Sequence, residues 1–149
     1  MLKIRRFVKG VDEPIWVGIL SESRKNREDW RAITAEEMLR QEQENPSFDL
    51  EGRFVAELEQ RPVGVVHAHV EKLREERTGF VRSDVIPEYR GRGIERQLVE
   101  TALRELKVRG MAIAQAMVDS GELDYVRLLQ ELDFKQVRVI SFMEMELTD

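Results

Sequence analysis

The 149 residues include no cysteine, which excludes disulfides and any thiolate nucleophile. His67 and His69 are the two histidines, too few without cysteine for a structural zinc site, and no metal is expected. No apolar run approaches the roughly 20 residues that span a bilayer. Residues 1–9 alternate basic and apolar side chains and lack the continuous apolar stretch of a signal peptide. Positive charge is also in deficit, 24 Lys and Arg against 29 Asp and Glu, for a net charge of −5. General nucleic-acid binding needs a basic footprint that this balance does not supply. The expectation is therefore a cytoplasmic protein with neither a membrane nor a nucleic-acid partner.

Hydrophobic residues at 42% and charged residues at 36% suit a globular chain with a heavily charged surface. The length matches one domain, and no repeat, linker or low-complexity segment divides it, so residues 1–149 are expected to form a single domain.

Residues 3–8 alternate loosely and predict a first strand. Asp12 is placed to cap a helix with Pro14 in its first turn, and Ile15, Trp16, Ile19 and Leu20 share one face of that helix. Residues 24–29 read as a charged connection. Thr34 followed by Glu37 is a capping-box pattern and opens a second helix, which carries Met38 and stops by Asn45 and Pro46. An alternating run from Phe54, a turn over residues 60–62 and an apolar run over 63–70 predict a hairpin. A fourth strand is expected over 79–86. Ile94, Leu98, Ala102 and Leu106 define an amphipathic helix over 94–109 that Gly110 ends. A fifth strand over 112–118, a short helix over 124–132 and a last strand over 137–147 complete the chain. The order β-α-α-β-β-β-α-β-α-β predicts one α/β domain with a mixed sheet.

The segment Asp84-Val-Ile-Pro-Glu-Tyr-Arg-Gly-Arg-Gly-Ile-Glu-Arg96 carries the functional signal. A strand ends at Pro87, a loop holding Gly91 and Gly93 follows, and a long helix starts at once. Free amides at a helix N-terminus bind anions, and glycine lets the backbone approach a phosphate closely. Arg90, Arg92 and Arg96 add positive charge in an acidic chain. The dinucleotide fingerprint fails at Arg96, and the Gly-Lys-Ser/Thr of a Walker loop is missing. The bland alternative is a basic turn that caps a surface helix.

These residues resemble the GNAT N-acetyltransferase family, whose signature is Gln/Arg-x-x-Gly-x-Gly/Ala after a strand ending in a valine-x-proline pattern. Val85, Ile86 and Pro87 match the strand end, and Arg90, Gly91, Arg92, Gly93 and Ile94 match the signature up to its sixth position, which is Glu95. The element order is similar to that fold along nearly the whole chain. The resemblance implies a mixed, mostly antiparallel twisted sheet with helices on both faces, splayed between the fourth and fifth strands. It implies acetyl-CoA as co-substrate, with the diphosphate on the amides of residues 91–96 and the pantetheine arm along the fourth strand, where Val85 offers backbone hydrogen bonds.

Two positions depart from the family pattern. Glu95 either opposes the diphosphate or complements the helix dipole. Residues 128–134 look like the family's Leu-Tyr-Glu-Lys-Leu-Gly-Phe, yet its acidic tyrosine is here Leu129, which cannot donate a proton. The family's asparagine is replaced by Glu122. Tyr125 lies one helical turn before Leu129 and is the substitute acid or an ordinary packing residue. His67, His69 and Glu57 are candidates for a base; the alternative is that they line a solvated sheet face. Trp16, Trp30 and Met38 belong to the core or to acceptor-cleft walls. The expected reaction is N-acetylation of a small-molecule or peptide amine. A non-catalytic acyl-CoA-binding domain is the rival reading, and homodimerisation is left open.

Overall fold

The computed structural model describes residues 1–25, 33–44, 51–70, 77–116, 118 and 122–134. Trp30, Asn45, Pro46 and the expected last strand over 137–147 lie outside them. Among the described residues, five strands form one sheet in chain order: β1 (Leu2–Arg6), β2 (Arg53–Leu58), β3 (Arg61–Val70), β4 (Thr78–Val85) and β5 (Ile113–Ala116). Neighbours run antiparallel except β4 and β5, which are parallel. Four helices accompany them: α1 (Glu13–Arg24), α2 (Ala35–Glu44), α3 (Ile94–Val108) and α4 (Leu123–Glu131). Parallel strands need a crossover, and α3 supplies it between β4 and β5.

The apolar face of α3 buries Leu98, Val99, Ala102 and Leu106 against the sheet. Close packing depends on Gly79, where a Cβ would stand 2.4 Å from Leu106 Cδ2. Alternation along β4 then turns Val81, Ser83 and Val85 towards the α3 side and Phe80, Arg82 and Asp84 towards the other. Helix α1 covers that other face, with Trp16 and Ile19 buried, and α2 adds buried Met38. On the face that α1 covers, Glu57, His67 and His69 are each partly buried.

The tight turn of the hairpin sits at Glu59 and Gln60, both left-handed with φ of 51° and 68°, so β3 begins at Arg61 instead of after Pro62. Two left-handed residues are what a two-residue hairpin turn needs, and no Asn-Gly pair advertises them here. Register slips between Ala56↔Gly64 and Glu57↔Pro62, leaving Val63 as the extra residue of a bulge. Its carbonyl accepts the Ile86 N–H at 3.0 Å.

Asp12 holds the N-cap position of α1 but makes no side-chain cap bond. Its buried carboxylate faces backwards, accepting the Val8 N–H at 2.7 Å and two Arg5 bonds at 2.6 and 3.0 Å. Arg24 is not part of a surface connection: it ends α1 and is buried in a bidentate pair with Asp84 at 2.9 and 2.6 Å. Thr34 does cap α2, its Oγ1 accepting the Glu37 N–H at 3.1 Å.

Candidate active site

Among the described residues, pairing between β4 and β5 runs from Thr78↔Ile113 to Val81↔Ala116. On the other edge β3 follows β4 through Gly64↔Val85. Because the Ile86 N–H bonds to Val63, the antiparallel alternation gives residues 82 and 84 to β3 and turns the backbone groups of Ser83 and Val85 towards the opposite edge.

The strand leads into a single 3-10 turn at Pro87–Tyr89, then Gly91 and Gly93, then α3. Both glycines are left-handed, with φ of 77° and 83°. A Cβ on either would meet nothing within 4 Å, so the loop presents bare backbone to open space. Gly93 is the N-cap of α3 and has no side chain to occupy the first-turn amides, the arrangement that accepts an anion. Glu95 sits in that first turn, and its Oε1 accepts the Gly91 N–H at 3.3 Å. The carboxylate therefore folds over the loop instead of away from it.

The three loop arginines go to different places. Arg90 turns away: Nε donates to the Val85 carbonyl at 3.0 Å, and Nη2 donates to the Ser23 carbonyl at 2.7 Å and Ser23 Oγ at 3.0 Å. Ser23 Oγ in turn donates to Asp84 at 3.0 Å. Arg96 pairs with Glu131 of α4 and stands 3.8 Å from Glu100. Arg92 stacks over the Tyr89 ring at 4.9 Å. Arg61, which sequence reasoning did not single out, stacks over the same ring at 5.3 Å and donates to Tyr89 and Glu88 at 3.1 and 3.0 Å.

The Tyr125 hydroxyl reaches β4, where it accepts a 2.7 Å hydrogen bond from Ser83 Oγ. Burial holds the phenol above its ordinary pKa, opposed by the Ser83 bond. Leu129 is 4% exposed and belongs to the core. Glu122 is the N-cap residue of α4, without a side-chain cap bond. Glu57 lies two strands from β4 in the sheet order and accepts Arg5 Nε at 2.8 Å. His67 and His69 stand in a row of rings: Trp16 to His67 at 6.2 Å, His67 to His69 at 5.1 Å, and His69 to Phe80 at 6.2 Å. The bond between Ser83 and Tyr125 is the feature that sequence reasoning missed, and no motif marks Ser83.

A mixed sheet whose fourth strand leads through a glycine loop into a long helix defines the class of α/β protein. Comparison narrows the class: the Acetyltransferase (GNAT) family model matches residues 18–134, and the chain belongs to that family. A mycothiol acetyltransferase of Thermobispora bispora is 31% identical over 137 residues, 89% of this chain and 46% of the relative. That of Thermobifida fusca is 28% identical over 143 residues, 90% of this chain and 44% of the relative. The chain thus spans about half the length of these relatives. Among solved structures, an N-acetyltransferase from Staphylococcus aureus Mu50 superposes with a TM-score of 0.74 at 22% identity, covering 93% of this chain and 86% of that one. A Salmonella typhimurium protein solved with its cofactor acetyl-CoA gives a TM-score of 0.72 at 18% identity, with 90% and 79% covered.

Proposed function

We propose that this protein transfers an acetyl group from acetyl-CoA to the amine of a small molecule. The observation that carries the reading is the glycine loop before α3, where Gly91 and Gly93 are left-handed and present bare backbone to open space. In this reading the diphosphate binds at the amides of residues 91–96, covering Gly91, Arg92, Gly93, Ile94, Glu95 and Arg96. The pantetheine arm takes the Val85 N–H, while Val85 and Ile86 wall the opening. Since the Val85 carbonyl already accepts from Arg90, the strand offers the arm a donor there. Arg90 acts on the site through Val85 and α1, and Arg92 is left as the loop cation for the phosphates.

Catalysis in this reading is mainly positioning. Holding amine and thioester together removes the entropy of their encounter, and amides directed at the carbonyl oxygen stabilise its developing charge. Tyr125 is the group placed to protonate the departing sulfur. His69, beside Phe80 of β4, and Glu57, which accepts from Arg5, are the candidates for a base. Relatives named for mycothiol favour a small-molecule acceptor over a peptide.

Glu95 on the Gly91 amide and Leu129 in the core favour a second reading, an acyl-CoA-binding domain without turnover. Calorimetric titration with acetyl-CoA and coenzyme A tests the shared part. Both are expected to bind, and Gly93→Val is expected to weaken binding at least tenfold, because a β-branched residue is strained in the left-handed region. Unchanged affinity in folded Gly93→Val protein moves the site elsewhere. Thiol release with neamine, cysteamine, spermidine and an alanine-terminated peptide then separates enzyme from binding domain.

A further inference from the structure

Ser83 stands on β4 two residues beyond Val81, which is paired with Ala116 of β5. Alternation turns its side chain to the side where α3 packs, and there its Oγ donates to the Tyr125 hydroxyl at 2.7 Å. The two residues are 42 positions apart in sequence, and the bond joins α4 to β4. Leu129, one turn further along α4, is in the core and supplies no proton.

We infer that Ser83 is a positioning residue for acetyl transfer, its hydroxyl proton occupying a lone pair of the Tyr125 oxygen and leaving the Tyr125 proton free for the departing sulfur. The inference rests on the acetyl-transfer reading above. A phenol oxygen carries one proton to give. If Tyr125 donated to Ser83, that proton would be committed; with Ser83 as donor it is not. The same bond strengthens when the phenol ionises, because hydrogen bonds to charged acceptors exceed neutral ones. Ser83 thus helps most when the proton has left Tyr125.

The step balances as follows. The amine nitrogen pair attacks the thioester carbonyl carbon, the C–S bond breaks, and its electron pair stays on sulfur. The thiolate takes the Tyr125 proton, the acylated nitrogen releases one proton to solvent, and the phenolate recovers one from solvent. An amide and a free thiol result, with no oxidant or reductant. Burial keeps the phenol protonated through neutral pH, and the Ser83 bond lowers its pKa again towards a useful acid.

Two readouts test the role. The chain has two tyrosines, so in a Tyr89→Phe background the ultraviolet signal of phenolate reports Tyr125 alone. Ser83→Ala is expected to move that titration to higher pH, because the bond that favours the phenolate is lost. A shift to lower pH would mean that Tyr125 was the donor, and no shift would mean no coupling; either overturns the inference. In the kinetic readout, with the amine of the panel that turns over fastest, Ser83→Ala should lower kcat about tenfold with the KM for acetyl-CoA unchanged. Ser83→Thr, which keeps the hydroxyl, should recover most of the loss. On Tyr125→Phe, Ser83→Ala should cost nothing further; an equal loss in both backgrounds makes Ser83 merely structural. If no amine is acetylated, the transfer reaction falls and the Ser83 role with it, whereas a downward titration in an active enzyme overturns Ser83 alone.

Discussion

The Glu95 carboxylate lies on the Gly91 amide at 3.3 Å, one of the donors a diphosphate would use, so it competes for that site as a fixed anion. Two unit charges about 4 Å apart repel by about 1 kcal/mol in water, which sets the scale at an exposed loop. Glu95→Ala is expected to tighten coenzyme A binding about fivefold at low ionic strength, with the gain shrinking as salt screens it. Calorimetry at two salt concentrations checks this; an affinity unchanged at low salt would leave Glu95 as a dipole complement only. The loop was legible in the sequence because its chemistry is local: two glycines, a strand end and a helix start within ten residues. The destinations of its side chains were not. Arg90 bonds to Ser23 across 67 positions, Arg96 to Glu131 across 35, and Arg5 to Glu57 across 52. Periodicity carries no record of such pairs.

Helix ends tell a similar story one scale up. Gly110 ends α3 as its position implied: its N–H donates to Lys107 at 3.1 Å and that of Met111 to Leu106 at 2.9 Å, the paired bonds of a Schellman motif. Helix α4 ends the same way, with Phe134 bonded to Leu129 at 2.9 Å and Asp133 to Gln130 at 3.0 Å. Its left-handed residue, however, is Asp133 at φ 70°. Asp133→Gly should relieve a left-handed cost of about 1 kcal/mol while adding freedom to the unfolded chain, for a net gain near 0.5 kcal/mol. For a chain of this size that raises Tm by about 1–2 °C, and a lower Tm in calorimetry would contradict it. The order of the elements from β1 to α4 was legible because apolar spacing survives dense surface charge. The hairpin was misplaced because Glu59 and Gln60 adopt left-handed backbone without the residues that signal it.

At the scale of the whole molecule, stability in acid depends on how the start of α1 is tied to the sheet. The Arg5 guanidinium holds the Asp12 carboxyl below the usual carboxylate range, aided by the Val8 amide and opposed by burial. A carboxyl depressed in the folded state contributes stability above its unfolded pKa of about 3.9 and loses it as pH falls through the folded value. Unfolding curves should therefore show stability falling below about pH 4. Asp12→Asn should destabilise by about 2 kcal/mol at neutral pH, with the deficit closing in acid; a deficit constant with pH would assign the loss to packing. The overall topology needed only chain order, and the family signature marked the glycine loop. The tie between that loop and α1 was visible only in three dimensions. Arg90 fastens the glycine loop to the last turn of α1 through both Ser23 bonds, and to β4 through the Val85 carbonyl. A loop clamped at its first arginine takes its shape when the chain folds. Under the proposed function, binding there would spend little of its free energy on ordering backbone, and Arg90 would serve as preorganisation instead of as a phosphate contact.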